Sequence, residues 1–222
     1  TTYNVTGIDL ALSPTLLGEL TERVRGRLRC VLVRGQECVA EHLEEVELLA
    51  REEWSGLASL PEILAAFVLP NHPAIEQVLR DAAQLLVQWT GDPSLSGYQQ
   101  KDPKRVLMMT AAVYAALQRL GITYVNPPAS FETQGQRIRL PDRIVEATLA
   151  TCLDLAVLTA GCLEQIGLFP LVVLVRGHAF TGVWLTEECF SEPAIEDPLR
   201  LRKRVDLDEI AVFDPTAITA RP

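Results

Sequence analysis

The alternation of apolar and polar positions changes in character near residue 55 of this 222-residue chain. Before that point, residues 27–33 alternate in part, residues 34–36 supply a turn, and residues 46–49 are apolar-rich again. Period-two alternation is typical of half-buried strands. We therefore predict a β-rich segment over residues 1–55, either a complete small layer or part of a truncated domain. The Glu-, Leu- and Ala-rich residues 41–53 fit a helix equally well.

After residue 55 the apolar positions recur at helical spacing, and proline and glycine mark the ends of the stretches. The predicted helices are residues 60–69, 74–89, 106–120 and 152–166. Three later stretches carry strand patterns, and the first two are joined by a tight turn at Arg176-Gly177. The predicted strands are residues 171–175, 178–185 and 210–213. Helices followed by an antiparallel meander indicate an α+β fold, with one domain over residues 56–222.

Two segments lack a clear period. Residues 124–142 contain three prolines and a glycine, so we predict a long ordered loop or a set of short turns. Loops of this length in compact domains are often functional. Residues 186–196 form an acidic, loop-like insert that could be a lid, a partner site or neither.

Cys152 follows Ala150-Thr151, where a loop is predicted to enter a helix. A helix N-terminus favours the thiolate, so a lowered pKa would make this residue a nucleophile. A small core residue is the alternative interpretation, and for an arbitrary cysteine in an apolar helix it is the commoner one.

His178 and Asp214 give Cys152 a functional context. His178 begins a predicted strand 26 residues after Cys152 and could act as a general base. Asp214 ends the next predicted strand, where its carboxylate could orient the imidazole. A surface histidine and a turn-forming Asp-Pro are the alternatives, but the ordered set favours a catalytic triad.

Three blocks of sequence carry a family resemblance: residues 151–156 (TCLDLA), 177–180 (GHAF) and 213–216 (FDPT). They resemble the signature blocks of the transglutaminase-like superfamily. That resemblance implies a papain-like fold in which Cys152 is the nucleophile, His178 the base and Asp214 the orienting carboxylate. Members include crosslinking transglutaminases, peptide-N-glycanases and cysteine proteases, which attack a carbonyl carbon bonded to nitrogen.

A narrower resemblance covers roughly residues 50–216. Residues 67–73, 97–99, 127–131 and 135–141 resemble a region near the N-terminus of large bacterial proteins that also carry superfamily-1-type helicase modules. No GxxxxGK[ST] phosphate loop is present in this sequence, so the helicase activity is not implied for this chain. The first residue is Thr1, and we infer a domain excised from a longer protein whose remaining domains would be its partners.

Amide chemistry also needs donors for the developing oxyanion. Papain-like enzymes often use a glutamine upstream of the nucleophile. Gln136, in the long loop, is the first choice and Gln134 the alternate, with the Cys152 amide as second donor. Simple solvation in a loop is the commoner role for such a glutamine.

Composition narrows the function classes. The net charge of −9 disfavours direct nucleic-acid binding, although Arg200, Arg202, Lys203 and Arg204 could form a local patch in a loop. No apolar run approaches the roughly 20 residues of a membrane span, and no leader pattern begins the chain. Five scattered cysteines suit a reducing compartment better than disulfides or a zinc site. We therefore expect a cytoplasmic protein without metal, cofactor or membrane association.

Two functions remain open from the sequence. The first is a cysteine-dependent amide hydrolase or acyl transferase that acts on a protein or peptide substrate through a thioester at Cys152. Protease or isopeptidase is the preferred subclass, because nothing in the chain identifies the amine site that crosslinking requires. The second is a catalytically inactive transglutaminase-like interaction module.

Overall fold

The structure, a computed structural model, describes residues 13–220 and divides into two compact units between Glu53 and Trp54. The sequence-based boundary was placed two residues later, after residue 55. The prediction for residues 1–12, the start of the expected β-rich segment, lies outside the described residues.

The described part of the first unit, residues 13–53, contains one short helix and a long β-hairpin. Helix α1, Pro14–Glu19, begins at Ser13, whose hydroxyl accepts a hydrogen bond from the Leu16 N–H. Strands β1, Val24–Arg34, and β2, Glu37–Leu48, pair antiparallel around a two-residue turn. The helical alternative for residues 41–53 is therefore wrong over residues 41–48, which lie in β2. The short α1 was not predicted.

The second unit is rich in helices. Several of them start with a proline in the first turn, where the missing N–H has no intrahelical partner to lose. The α-helices are α2 Pro73–Thr90, α3 Pro103–Gln118, α4 Phe131–Gln134, α5 Pro141–Ala147, α6 Cys152–Gln165 and α7 Pro198–Asp206. Two 3₁₀ helices, Pro61–Phe67 and Pro215–Thr219, complete the set in the described part of this unit.

Short strands lie between these helices. The two-residue strand β3, Glu53–Trp54, spans the unit boundary; the others are β4 Thr123–Tyr124, β5 Gln136–Arg137, β6 Leu149–Ala150, β7 Pro170–Val175, β8 His178–Trp184 and β9 Ile210–Phe213. Strands β7, β8 and β9 form an antiparallel sheet in sequential order. Strand β4 pairs in parallel with β6. The described chain is thus mixed α+β with small, mainly antiparallel sheets, as the sequence predicted.

Helix α6 forms the centre of the second unit. Its residues from Cys152 to Leu163 are all buried, as expected of a helix that is apolar on every side. It packs against β7 and β8 on the sheet and against α2 and α3. One core cluster lies among these helices, and a second gathers around the first turn of α6 with Trp54, Phe131 and Ala179. The helix that begins at Cys152 is therefore held on all sides.

Three local expectations need correction. Residues 124–142, predicted as a long ordered loop or a set of short turns, contain the end of β4, then α4, β5 and the start of α5. The four cations at residues 200–204 lie in helix α7 and not in a loop. This helix begins at Asp197, whose carboxylate accepts a hydrogen bond from the Leu199 N–H. The predicted helix over residues 60–69 is a 3₁₀ helix.

Among residues 13–220, no helix combines the length and the apolar character needed to cross a membrane.

Candidate active site

The start of α6 is fixed by a reciprocal cap. The Thr151 hydroxyl accepts a hydrogen bond from the Asp154 N–H at 3.2 Å, and the Asp154 carboxylate accepts one from the Thr151 N–H at 2.8 Å. This capping box satisfies two backbone donors that a helix start otherwise leaves unpaired. It places Cys152 at the first helical position, with its side chain at the positive end of the helix.

Asp154 also ties a second segment to this point. Its side chain is fully buried, and it accepts hydrogen bonds from the Arg139 N–H at 2.8 Å and from Arg139 Nη1 at 2.9 Å. A buried carboxylate needs such partners, because an unpaired charge in the core is costly. The segment that follows β5 is therefore anchored to the first turn of α6.

This anchoring brings Gln136 to the residue before the cysteine. Gln136 is buried, and its Nε2 donates to the Thr151 hydroxyl at 3.1 Å. Its Oε1 is buried without a hydrogen-bond partner among the described residues. Gln134, the alternate donor named from the sequence, is exposed at the end of α4. Of the two glutamines, Gln136 is the one that the structure places beside Thr151 and the helix start.

His178 and Asp214 meet at the edge of the three-stranded sheet. The tight turn at Arg176-Gly177 makes His178 the first residue of β8, and Asp214 directly follows β9, the neighbouring strand. His178 Nε2 lies 3.1 Å from Asp214 Oδ2. With Nε2 engaged by the carboxylate, Nδ1 is the ring nitrogen left for another partner.

Further contacts hold Asp214 in place. Its Oδ1 accepts hydrogen bonds from the Thr216 N–H at 2.8 Å and the Thr216 hydroxyl at 2.7 Å. The Tyr114 hydroxyl donates to the Asp214 backbone carbonyl at 3.0 Å. Desolvation acts to raise the pKa of Asp214, but the hydrogen bonds from Thr216 and His178 outweigh it and hold that pKa below its usual range. The carboxylate is therefore ionised and oriented toward the imidazole.

The Cys152 thiol lies against the start of β8. It lies close enough to the Ala179 backbone, directly after His178, and to the Tyr124 hydroxyl for both to act on its pKa. Cys152 is fully buried, and desolvation raises its pKa; the hydrogen bonds from Tyr124, Ala179 and the helix start lower it by less. The lowered pKa expected from the helix N-terminus is therefore wrong for this structure, because burial dominates.

Tyr124 is a site residue that the sequence analysis missed. The parallel pairing of β4 with β6 sets it beside the start of α6, since Tyr124 pairs with Ala150. Burial, followed by the Cys152 thiol and the Asp214 charge, raises the pKa of Tyr124 to about 12. Its hydroxyl thus stays protonated and acts as a donor. A two-residue strand is too short to show a sequence period. The only signal in the sequence was that Tyr124 is an aromatic residue at the start of the aperiodic residues 124–142.

A cavity of about 480 Å³ adjoins this site through Tyr124. It is lined by the end of α3, by β4 with the residues before it, and by the second 3₁₀ helix. Tyr124 lines this cavity, whereas Cys152 is not among the lining residues.

The structure therefore brings Cys152, His178, Asp214 and Gln136 to one region at the start of α6 and the adjacent edge of the sheet. Comparison with known proteins adds no relative: no family model, no curated protein and no solved structure matches the chain.

Proposed function

We propose that this chain is a cysteine-dependent amide hydrolase or acyl transferase with a papain-like core of the transglutaminase-like type, acting on protein or peptide substrates through a thioester at Cys152. The observation that carries the proposal is the 3.1 Å contact between His178 Nε2 and Asp214 Oδ2, with the Cys152 thiol against the N–H of the next residue, Ala179. The contact between His178 and Asp214 supplies the base and orienting carboxylate of a triad, and the position of the thiol next to Ala179 puts the proposed nucleophile one residue along β8 from that base.

Burial raises the pKa of the Cys152 thiol, which favours a general-base mechanism over a preformed thiolate-imidazolium pair. His178 Nδ1 takes the thiol proton as the sulfur attacks the carbonyl carbon of the amide. The Asp214 carboxylate stabilises the imidazolium that forms. Collapse of the tetrahedral intermediate breaks the C–N bond, His178 returns the proton to the leaving amine, and a thioester remains on Cys152.

The thioester is then resolved by water in hydrolysis or by an amine in transfer, with His178 again serving as the base. Donors for the oxyanion are available at the helix start: the Cys152 N–H and the Gln136 amide, which Thr151 holds in place. Hydrolysis of a peptide or isopeptide bond is the preferred outcome. A place in a larger, helicase-associated bacterial protein of the cytoplasm remains part of the proposal.

Labelling of single thiols tests the proposal. Three cysteines are exposed and would react unspecifically, so the background variant carries Cys30→Ser, Cys38→Ser and Cys189→Ser. In this background we expect a peptide-derived acylating probe to modify Cys152, as located by peptide mass spectrometry. Cys162→Ala is the matched control, because Cys162 is the other buried thiol and lies in the same helix.

In this mechanism, the labelling of Cys152 depends on His178 and Asp214. We expect His178→Gln to reduce it by about 100-fold or more, in the range that a general base contributes. Asp214→Asn should reduce it while leaving the fold intact by circular dichroism. Equal labelling of the background variant and its His178→Gln derivative would refute the proposal.

The complete burial of Cys152 favours a second candidate, a catalytically inactive interaction module. In that case no acylating probe reaches Cys152 in the folded chain, and the residue reacts only after denaturation. The time course of probe incorporation with and without denaturant distinguishes the two.

A further inference from the structure

The β1–β2 hairpin of the first unit segregates its charges by strand. Strand β1 carries arginines and no acidic residue, whereas β2 carries glutamates and neither lysine nor arginine. The charged residues are Arg25, Arg27, Arg29 and Arg34 in β1 and Glu37, Glu41, Glu44, Glu45 and Glu47 in β2. One strand of the ribbon is thus cationic and the other anionic.

The register puts most of these charges on one face. Arg25 lies opposite Glu47 and Arg27 opposite Glu45, while Arg29 pairs with Glu41 one position further along that face. Residues two apart in a strand share a face, so Arg25, Arg27 and Arg29 form a row along β1.

Two arginines of this row are not engaged. Arg29 donates twice to the Glu41 carboxylate, at 2.8 and 2.9 Å. Within residues 13–220, Arg25 and Arg27 form no ion pair or side-chain hydrogen bond, and both are exposed. Their guanidinium groups are available to an anionic group on the outer side of β1.

Among residues 13–220, no strand pairs with either outer edge of the ribbon. In the described chain this sheet has two strands, so the outer backbone edge of β1 has no neighbour. An open edge presents N–H and C=O groups that a further strand can pair with, and a two-stranded ribbon gains stability from a third strand. On the opposite face, apolar side chains such as Val24 and Leu32 remain exposed, and a third strand could extend that apolar face.

We propose that the outer edge of β1 binds an extended acidic peptide segment of a partner protein by β-strand addition. The added strand places a carboxylate beside Arg25 and Arg27 at alternate positions, which repeats across β1 the Arg-Glu pairing that β2 already makes. Backbone hydrogen bonds between the added strand and β1 supply the affinity, and Arg25 and Arg27 select a negatively charged peptide.

Other occupants fit less well. A second copy that adds its own β1 to this edge sets arginine against arginine. A single-stranded nucleic acid offers phosphates to the two arginines but has no peptide N–H and C=O groups to pair with the open edge. Addition of β2 from a second copy matches in charge but leaves a new open edge each time, so it produces open-ended assemblies.

Fluorescence anisotropy with the intact chain tests the proposal. The probe is a labelled peptide of alternating glutamate and threonine, which we expect to bind, whereas the corresponding lysine-threonine peptide should not. The double substitution Arg25→Gln with Arg27→Gln should weaken binding about fivefold, in line with the strength of cross-strand charge pairs. Arg202→Gln, an exposed arginine of α7, is the matched control and should bind as the unmodified chain does.

A backbone control separates strand addition from simple charge attraction. Methylation of one of the two alternate sets of amide nitrogens in the glutamate-threonine peptide should abolish binding, and methylation of the other set should not. The proposal is overturned if both methylated peptides bind equally, if no acidic peptide binds, or if the Arg25/Arg27 variant binds unchanged. It is also overturned if sedimentation shows that the chain assembles with itself through this edge, or if an oligothymidylate binds and loses its affinity in that variant.

Discussion

At Cys152, burial and hydrogen bonding act on the thiol in opposite directions. Burial disfavours the thiolate, while the helix start and the donors Tyr124 and Ala179 favour it, and burial has the larger effect. The raised pKa means that the thiolate fraction at neutral pH is smaller than for a free cysteine. The rate of alkylation of Cys152 should therefore still be rising with pH at about 8.5, the unperturbed thiol value, and should level off only at higher pH.

Tyr124→Phe tests this balance in the variant that lacks the three exposed cysteines. The lost hydroxyl donor should raise the pKa of Cys152 further and slow its alkylation by iodoacetamide about tenfold at pH 8, the effect of one hydrogen bond to a charged group. Tyr98→Phe is the control, because it removes a buried hydroxyl that contacts Trp184 and Phe169 instead of the thiol. Faster alkylation in Tyr124→Phe would show that the ring mainly shields the sulfur.

The element that organises the site is the first turn of α6. Two segments converge there: the one around β5, held through Asp154 and Thr151, and β4, which pairs with β6 immediately before the helix. The segment before β5 is also in close backbone contact with residues 54–56. A Cβ on Gly56 would overlap the backbone at Thr133, and a Cβ on Gly135 would overlap the backbone at Trp54. The helix start is thus a junction of segments that are distant in sequence.

Removal of the Asp154 carboxylate should loosen this junction. Asp154→Ala deletes the capping box and the two bonds from Arg139, and we expect a loss of about 3 kcal/mol in the free energy of unfolding. Asp154→Asn should lose less, because it retains acceptor capacity in the same volume. Urea denaturation measures both, with Asp206→Ala, at the exposed end of α7, as the control. An unchanged midpoint for Asp154→Ala would mean that α6 is held by its apolar packing alone.

On the scale of the whole molecule, the core belongs almost entirely to the second unit. The two main clusters of buried apolar residues run from Trp54 to Ile218, whereas the buried apolar residues described in the first unit are Leu20 and Ala50. Folding of the second unit should therefore require little from the first.

A fragment of residues 54–222 tests this independence. We expect it to unfold cooperatively, with a midpoint within about 4 °C of that of the full chain, which corresponds to about 1 kcal/mol at this size. A fragment that starts at residue 57 lacks the fully buried Trp54 and should be clearly less stable. Calorimetry that shows no cooperative transition for residues 54–222 would mean that the first unit is part of the fold.

The sequence predicted the elements whose signals are local. Apolar periodicity with proline and glycine boundaries identified α2, α3 and α6 closely, and the antiparallel order of β7, β8 and β9 followed from short strands and a tight turn. The same signals failed for α7, a nine-residue helix in which charged residues outnumber apolar ones, and for two-residue strands such as β4. These elements depend on caps and on contacts with distant segments.

For the candidate site, the sequence by itself determined which residues could react: a cysteine at a helix start, a histidine opening a strand, and an aspartate closing the next. Residue chemistry and local propensity are enough for that. Only the tertiary structure decided the environment of the thiol, because its burial, the Tyr124 donor and the Asp154 anchor come from segments that are far apart in the chain. The pKa of a side chain is set by what packs around it, so the lowered pKa inferred from the helix start alone was reversed by burial.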